Sequence, residues 1–260
     1  MVDAFIKHVL GVDSDHDGLF GPTEGYYGTV EEQGRLTLHL HTMIWIQNAL
    51  TPQQIRDRLT QKDGNFQKSL VEYLEAAHRG SFLTGQSSEV EDQWRHNKIQ
   101  RKKEEDPAIC VPESPPPECH LHTDAAKNHR CLRCQHILQW KGRFDNTVDE
   151  LVFRFNRHDC TKGWCKNPRY PNCKARFPRD IIPDTTIDSG SGYLKMRHGE
   201  SMLNTYNEVL TYLMMSNTDV TSLLSGTALK AVIAYTTDYV TKPGLRTHTM
   251  MEIIKSVFTR

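Results

Sequence analysis

Long hydrophobic runs, a net charge and a nucleotide-binding loop are all missing from this sequence. No stretch approaches the roughly eighteen apolar residues that a membrane span needs, and no secretion signal is recognised, so we expect no membrane partner. The 32 basic side chains of Lys and Arg balance the 32 acidic side chains of Asp and Glu, which gives no overall signal for nucleic acid. The phosphate-binding pattern G-x-x-x-x-G-K-[ST] does not occur, which excludes a P-loop ATPase motor from these 260 residues.

Charge and cysteine are unevenly distributed along the chain. From Leu151 onward there are 15 Lys and Arg against 9 Asp and Glu, so the second half is where a phosphate backbone could bind. All 7 Cys lie between Cys110 and Cys173, interleaved with His. An odd number of cysteines without a secretion signal predicts metal ligation before disulfides.

The spacing of apolar residues predicts an α+β fold. Two β-rich runs, 26–33 and 36–46, follow each other near the start of the chain. Helical signals begin at Pro52 and recur in 66–77, 202–215 and 225–240.

Composition divides the chain into four segments. The first and last form one principal domain, interrupted by a polar, Pro-containing linker and by a Cys/His-rich insertion that is expected to bind zinc. In chain order the boundaries are 1–84, 85–118, 119–180 and 181–260.

A strand with the pattern H-x-H carries the first candidate site. Alternation along the strand puts His39 and His41 on one face. The other face carries Leu38, Leu40 and Ile44, which we expect to be anchored in a core. Two imidazoles on a rigid strand supply most of a divalent metal site, and an oxygen ligand must complete it. By itself, an H-x-H pair is more often two half-exposed histidines without a ligand.

The preceding run offers Glu31 and Gln33 as candidates for the third ligand. If residues 34–36 form a three-residue turn, Glu31 lies directly opposite His39, whereas a two-residue turn would shift the register and remove it. The sequence leaves the choice between carboxylate and amide open.

Two tyrosines and a lysine form the second candidate site. Tyr235, Tyr239 and Lys242 follow the spacing i, i+4, i+7, so one helix face carries both phenols and the ammonium group. Two nucleophiles on one face can share two successive attacks on phosphodiesters. Alone, such a stripe is more often a face that packs on a sheet.

The cysteine-rich segment predicts at least one structural zinc site, because soft and borderline ligands at short spacing suit tetrahedral zinc. One set of potential ligands consists of His158, Cys160, Cys165 and Cys173. The other set lies upstream and consists of Cys131 and Cys134, with Cys119, His122, His129 and His136 close by. The sequence leaves open whether the upstream residues form a second site or share one.

Together these motifs resemble the Rep nuclease domain of Helitron rolling-circle transposases of fungal type. Residues 31–41 are similar to the family's E-x-Q-x-R-x-x-x-H-x-H stretch, and residues 235–242 are similar to its Y-x-x-x-Y-x-x-K element. Residues 158–179 are similar to its H-x-C and C-x-x-R-F-P-R segments. Residues 36–38 depart from the family, since Leu-Thr-Leu stands where Gly-Leu-Pro is common.

The resemblance implies an antiparallel HUH-type sheet flanked by helices and a zinc-binding insertion. It also implies that His39 and His41, with Glu31 or Gln33, bind a catalytic Mg²⁺ or Mn²⁺. The implied activity is cleavage of single-stranded DNA at transposon ends, in the nucleus, through a 5′-phosphotyrosine on Tyr235 or Tyr239.

Full Helitron proteins continue into a helicase domain that these residues do not contain, so we expect a fragment or a decayed copy. The rival interpretation is a catalytically decayed remnant that acts at most as a zinc-stapled DNA-binding module.

Overall fold

The protein combines helices with small antiparallel sheets, which agrees with the predicted α+β class. The computed structural model describes residues 2–33, 37–61, 63–122, 130–163, 165–166 and 172–241. The chain divides into two compact units, Met1–Ile55 with Leu223–Arg260, and Arg56–Ser222. None of the described helices has the length and apolar character that a membrane crossing requires.

The helices and strands follow one another in a mixed order. The strands are β1 (Thr23–Gln33), β2 (Thr37–Ile46), β3 (Thr186–Ile187) and β4 (Leu194–Lys195). The helices are α1 (Val2–Ala4), α2 (Pro52–Thr60), α3 (Gly64–Ala77), α4 (Ser87–Gln100), α5 (Leu132–Leu151), α6 (Glu208–Met214) and α7 (Gly226–Thr241). Single π-helical turns extend α1 over Phe5–Val9 and α5 over Val152–Asn156.

The first unit is built around the antiparallel hairpin of β1 and β2. Its register pairs Glu31 with His39 and Gln33 with Thr37, so three residues separate the strands. The register with Glu31 opposite His39 is therefore the one that the structure adopts. Helix α7 belongs to the same unit and lies against β1.

The hairpin face that carries Leu38, Leu40 and Ile44 is more exposed to solvent than the alternation of apolar residues predicted. Leu40 and Ile44 are partly buried, but Leu38 is 79% exposed. The expectation of a core behind all three was wrong at Leu38. The sheet that the described residues form here has two strands, so its tip lacks a neighbouring strand to pack against.

The second unit has its apolar core between α4, α5 and the chain before α6. The core residues are Phe82, Val90, Phe144, Val148, Val152, Phe153, Leu203 and Tyr206. Helix α5 supplies Phe144 and Val148 from within the segment predicted as an insertion, so this segment carries core residues as well as cysteines.

Residues 85–118 were predicted as a linker, and this was wrong for their first part. They contain α4, whose first turn is capped because the Glu89 carboxylate accepts a hydrogen bond from the Gln86 backbone N–H at 2.8 Å. Val90 is buried, and the Trp94 ring lies 5.4 Å from that of Phe153. The many charged residues of the exposed face concealed this narrow apolar stripe.

Helix α6 begins later than the prediction of 202–215. Asn207 is its N-cap and accepts a hydrogen bond from the Leu210 N–H at 3.0 Å. The residues before it are extended instead, because Leu203 and Tyr206 pair with other segments through isolated β-bridges.

Candidate metal centres and the tyrosine helix

The hairpin brings Glu31, His39 and His41 to one face. The Glu31 Oε1 and His41 Nε2 atoms are 3.1 Å apart, and each side chain is 19% exposed. The two imidazole rings meet edge to face, with 4.5 Å between their centroids. The residues that the sequence proposed as metal ligands therefore include one hydrogen-bonded carboxylate–imidazole pair and a second imidazole beside it.

Gln33, the other candidate for the third ligand, lies one residue pair further along. Its backbone pairs with Thr37, while its side chain lies outside the described residues. Glu31 is thus the candidate for which the structure gives a contact.

Thr29 is a residue of this face that the motif did not indicate. It pairs directly with His41 across the hairpin. Its hydroxyl is buried and has no hydrogen-bond partner among the described residues. A buried hydroxyl without a partner is costly, so Thr29 is suited to contact a ligand or an ordered water beside His41.

The tyrosine helix forms where it was predicted. Helix α7 spans Gly226–Thr241, and the Ser225 hydroxyl caps it by accepting a hydrogen bond from the Ala228 N–H at 3.1 Å. Tyr235 and Tyr239 belong to this helix by backbone. Their side chains, and Lys242 altogether, lie outside the described residues.

The first Cys/His cluster contains Cys119, His122, Cys131 and Cys134, with donor atoms within 4.8 Å of one another. Helix α5 positions half of it, since Cys131 is the N-cap residue and Cys134 lies fully buried in the first turn. A hydrogen bond with His122 lowers the pKa of the Cys119 thiol to about 6. A lowered pKa favours the thiolate, which is the form that binds metals.

The second Cys/His cluster contains His158, Cys160, Cys165 and Cys173, again within 4.8 Å. Burial, together with the neighbouring thiols Cys165 and Cys173, raises the pKa of the Cys160 thiol to about 11. The neighbouring thiols thus disfavour the Cys160 thiolate, and a divalent cation bound among these donors would relieve that effect.

The ring of His158 is held in place by an aromatic neighbour. It stacks on Phe177 with 4.3 Å between the centroids and 8° between the planes. The Arg179 guanidinium lies 4.6 Å from the centre of the same Phe177 ring. These contacts orient the imidazole beside the Cys173 sulfur, 3.3 Å away.

The two clusters answer the question that the sequence left open. They are separate groups, and each has three cysteines and one histidine, a ligand set that could hold a metal such as zinc. Cys110 belongs to neither group, and His129 lies outside the described residues. In the described part of the chain, groups of three or more donors this close occur only at these two places, not on the hairpin.

No protein family model, no curated protein and no solved structure matches this chain.

Proposed function

We propose that this chain is the Rep nuclease part of a Helitron-type rolling-circle transposase, a metal-dependent endonuclease and strand transferase acting on single-stranded DNA. The observation that carries the proposal is the hairpin register, which sets Glu31 opposite His39 and beside His41. Helix α7, with both tyrosines, lies against the strand that carries Glu31. An HUH-type sheet, transposon ends as substrate and action in the nucleus belong to the same proposal.

The proposed catalytic ion is Mg²⁺ or Mn²⁺, held by His39, His41 and Glu31. A carboxylate with two imidazoles is a donor set that such ions accept, and the unpartnered Thr29 hydroxyl adds a polar group for an ordered water. When bound, the ion would act as a Lewis acid toward the scissile phosphate. Until then, the Glu31 carboxylate holds the His41 ring in place through its Nε2 atom.

The proposed nucleophiles are the phenol oxygens of Tyr235 and Tyr239. One oxygen forms a bond to phosphorus, while the bond from phosphorus to the 3′ oxygen breaks. The phenol proton is released, and the 3′ oxygen takes up a proton, leaving a 5′-phosphotyrosine and a 3′-hydroxyl. Because an ordinary phenol is mostly protonated at neutral pH, the proposal needs a positive charge that favours the phenolate, supplied by Lys242 or by the bound ion.

The second candidate function is a zinc-stapled DNA-binding module without cleavage. The observation that favours it is that the best-formed donor groups are the two Cys/His clusters rather than the hairpin. Both functions use the clusters as structural zinc sites, so cleavage is the property that separates them.

The separating experiment incubates the purified chain with single-stranded oligonucleotides and Mg²⁺ or Mn²⁺. We expect cleavage that is lost when His39 and His41 are both changed to Ala. The matched control changes His8 and His16, exposed histidines of the same unit, and should cleave like the parent chain. Binding of DNA without cleavage by the parent chain would favour the non-catalytic module.

A second pair of variants tests the nucleophiles. Changing Tyr235 and Tyr239 together to Phe should remove cleavage, whereas either change alone should only slow it. Tyr26 and Tyr27 are exposed tyrosines on β1, so their joint change to Phe is the control. Cleavage that survives the loss of both α7 phenols would refute the tyrosine mechanism.

A further inference from the structure

Residues 111–117 form a proline-rich segment that runs over the second unit without helix or strand; we call it the proline strap. Proline occupies 112, 115, 116 and 117, where its ring fixes φ near about −65°. Val111 and Ser114 each precede a proline and are restricted to extended conformations. Every residue of the strap except Glu113 is therefore biased by covalent geometry toward polyproline II.

Beneath the strap lies an aromatic surface, the aromatic cradle, made by Trp140 and Phe144 of α5 and Tyr212 of α6. Trp140 stacks on Phe144 with 5.1 Å between the ring centroids. The ring of Tyr212 lies 4.8 Å from Phe144 and 6.5 Å from Trp140. Trp140 and Tyr212 are partly buried and pack against the core, so the cradle is rigidly supported.

The cradle holds the backbone of the strap at Glu113. The Trp140 indole N–H donates to the Glu113 carbonyl oxygen at 3.1 Å, and the Tyr212 hydroxyl lies 3.2 Å from the same oxygen. The Glu113 N–H donates to the Tyr212 hydroxyl at 3.0 Å. Both polar groups of this one peptide residue are thus satisfied by aromatic side chains.

The side chain of Glu113 is recognised separately. The Arg143 guanidinium donates two hydrogen bonds to its carboxylate, from Nε at 3.1 Å and from Nη2 at 2.7 Å. The paired hydrogen bonds match a planar carboxylate, so a residue of opposite charge at this position would be repelled. The contact selects an acidic residue among prolines.

We propose that the aromatic cradle, with Arg143, is a binding site for acidic proline-rich peptides, occupied in this chain by its own strap. Aromatic surfaces whose indole and hydroxyl groups bond the carbonyls of an extended proline segment are the general means of recognising polyproline II. The occupant in trans is a peptide of the strap's own type, prolines around one glutamate.

The strap is tethered at both ends, which keeps the site closed. Before it, Asp106 pairs with Arg154 of the π-helical turn after α5, and after it Cys119 enters the first Cys/His cluster. A tethered ligand has an effective concentration on the order of millimolar, so a free peptide at micromolar concentration would not displace it. The site becomes available when the strap is released.

The test compares the intact chain with an open-strap variant of equal length, in which the four strap prolines become Gly and Glu113→Lys. A fluorescent peptide with the sequence of residues 111–117 is titrated against both, and circular dichroism verifies the fold. We expect saturable binding to the open-strap variant and none to the intact chain at micromolar peptide. Adding Trp140→Phe, which keeps an aromatic ring but removes the indole N–H, should weaken binding at least tenfold.

Charge reversal supplies the specificity control. A peptide with Lys in place of Glu113 should not bind the open-strap variant, and Arg143→Glu in that variant should restore binding of this peptide. A folded open-strap variant that fails to bind the parent peptide at millimolar concentration overturns the proposal.

If the open-strap variant does not fold, hydrogen exchange of the isotope-labelled intact chain provides the test. Millimolar peptide should accelerate exchange of the Glu113 N–H, which the Tyr212 hydroxyl protects in the closed site, and the Lys-substituted peptide should not. Unchanged exchange in this measurement would also overturn the proposal.

Discussion

Because both Cys/His clusters are proposed to bind zinc, replacing Cys134 with Ser should lower the zinc content by about one ion per chain and destabilise the second unit, whereas Cys110→Ser should do neither. Cys134 is fully buried at the start of α5 and belongs to the first cluster. Cys110 is partly exposed and belongs to neither cluster, and its thiol donates a weak hydrogen bond to the Glu104 carbonyl. The same chemical change thus separates a metal ligand from an ordinary thiol.

The magnitude follows from what the first cluster joins. Its ligands link the chain before residue 123 to the first turn of α5, the helix that carries Phe144 and Val148 into the core. Structural zinc sites supply roughly 10–16 kcal/mol of apparent binding free energy at neutral pH. Since whole domains are stable by only about 5–15 kcal/mol, losing this site should strongly destabilise the unit.

The assay is zinc content by elemental analysis, followed by urea denaturation monitored by circular dichroism. We expect about two zinc ions per parent chain and about one in the Cys134→Ser variant, because the second cluster keeps its four ligands. The denaturation midpoint should fall strongly for this variant and stay within error for Cys110→Ser. Equal zinc content in the two variants would refute the assignment of Cys134 as a ligand.

Further predictions concern packing and pH. Arg101→Met should lower the free energy of unfolding, measured by urea denaturation, by about 2–3 kcal/mol. The substitution removes a guanidinium that donates two hydrogen bonds to the buried Glu150 carboxylate. Asn207→Ala should cost about 2 kcal/mol in the same measurement, since it removes a helix cap together with a buried side chain. The hydrogen bond from Arg154 lowers the pKa of Asp106. The stability that this pair contributes to the fold is therefore fully present near neutral pH and is lost as the pH falls below about 4. Asp106→Asn should flatten the loss of stability with acid in that range, and an unchanged pH profile would contradict this.

Local patterns predicted the hairpin well. Alternation predicted both strands, but it left the register open between a two-residue and a three-residue turn. The structure adopts the register of the three-residue turn, which pairs Glu31 with His39. The tyrosine helix was also predicted within a residue at each end, because its apolar period and its stop are local.

Other features depend on distant partners and were missed. Helix α4 is stabilised because Val90 and Trp94 pack on core residues from distant parts of the chain. Its amino-acid composition alone resembles that of a linker. The start of α6 is decided by the bridge between Tyr206 and Arg79, which are far apart in sequence. Periodicity alone cannot reveal such long-range pairings.

The two Cys/His clusters were predicted only in part. Spacing indicated the second cluster as a set, because its four ligands lie within sixteen positions. For the first cluster, spacing indicated Cys131 and Cys134 but left several candidates for the remaining ligands. Only the folded chain selects Cys119 and His122.

The central claim is that a phenol of α7 attacks DNA with the help of the hairpin's histidines. The most direct measurement is to incubate the chain with single-stranded DNA and Mn²⁺, digest it with trypsin, and locate the DNA-linked peptide by mass spectrometry. Trypsin should release residues 231–246 as one peptide, since Lys242 precedes a proline, and this peptide contains both Tyr235 and Tyr239. The account predicts nucleotide mass on this peptide alone and none after His39→Ala with His41→Ala. Nucleotide mass on another peptide, or no adduct from a chain that binds the DNA, would contradict it.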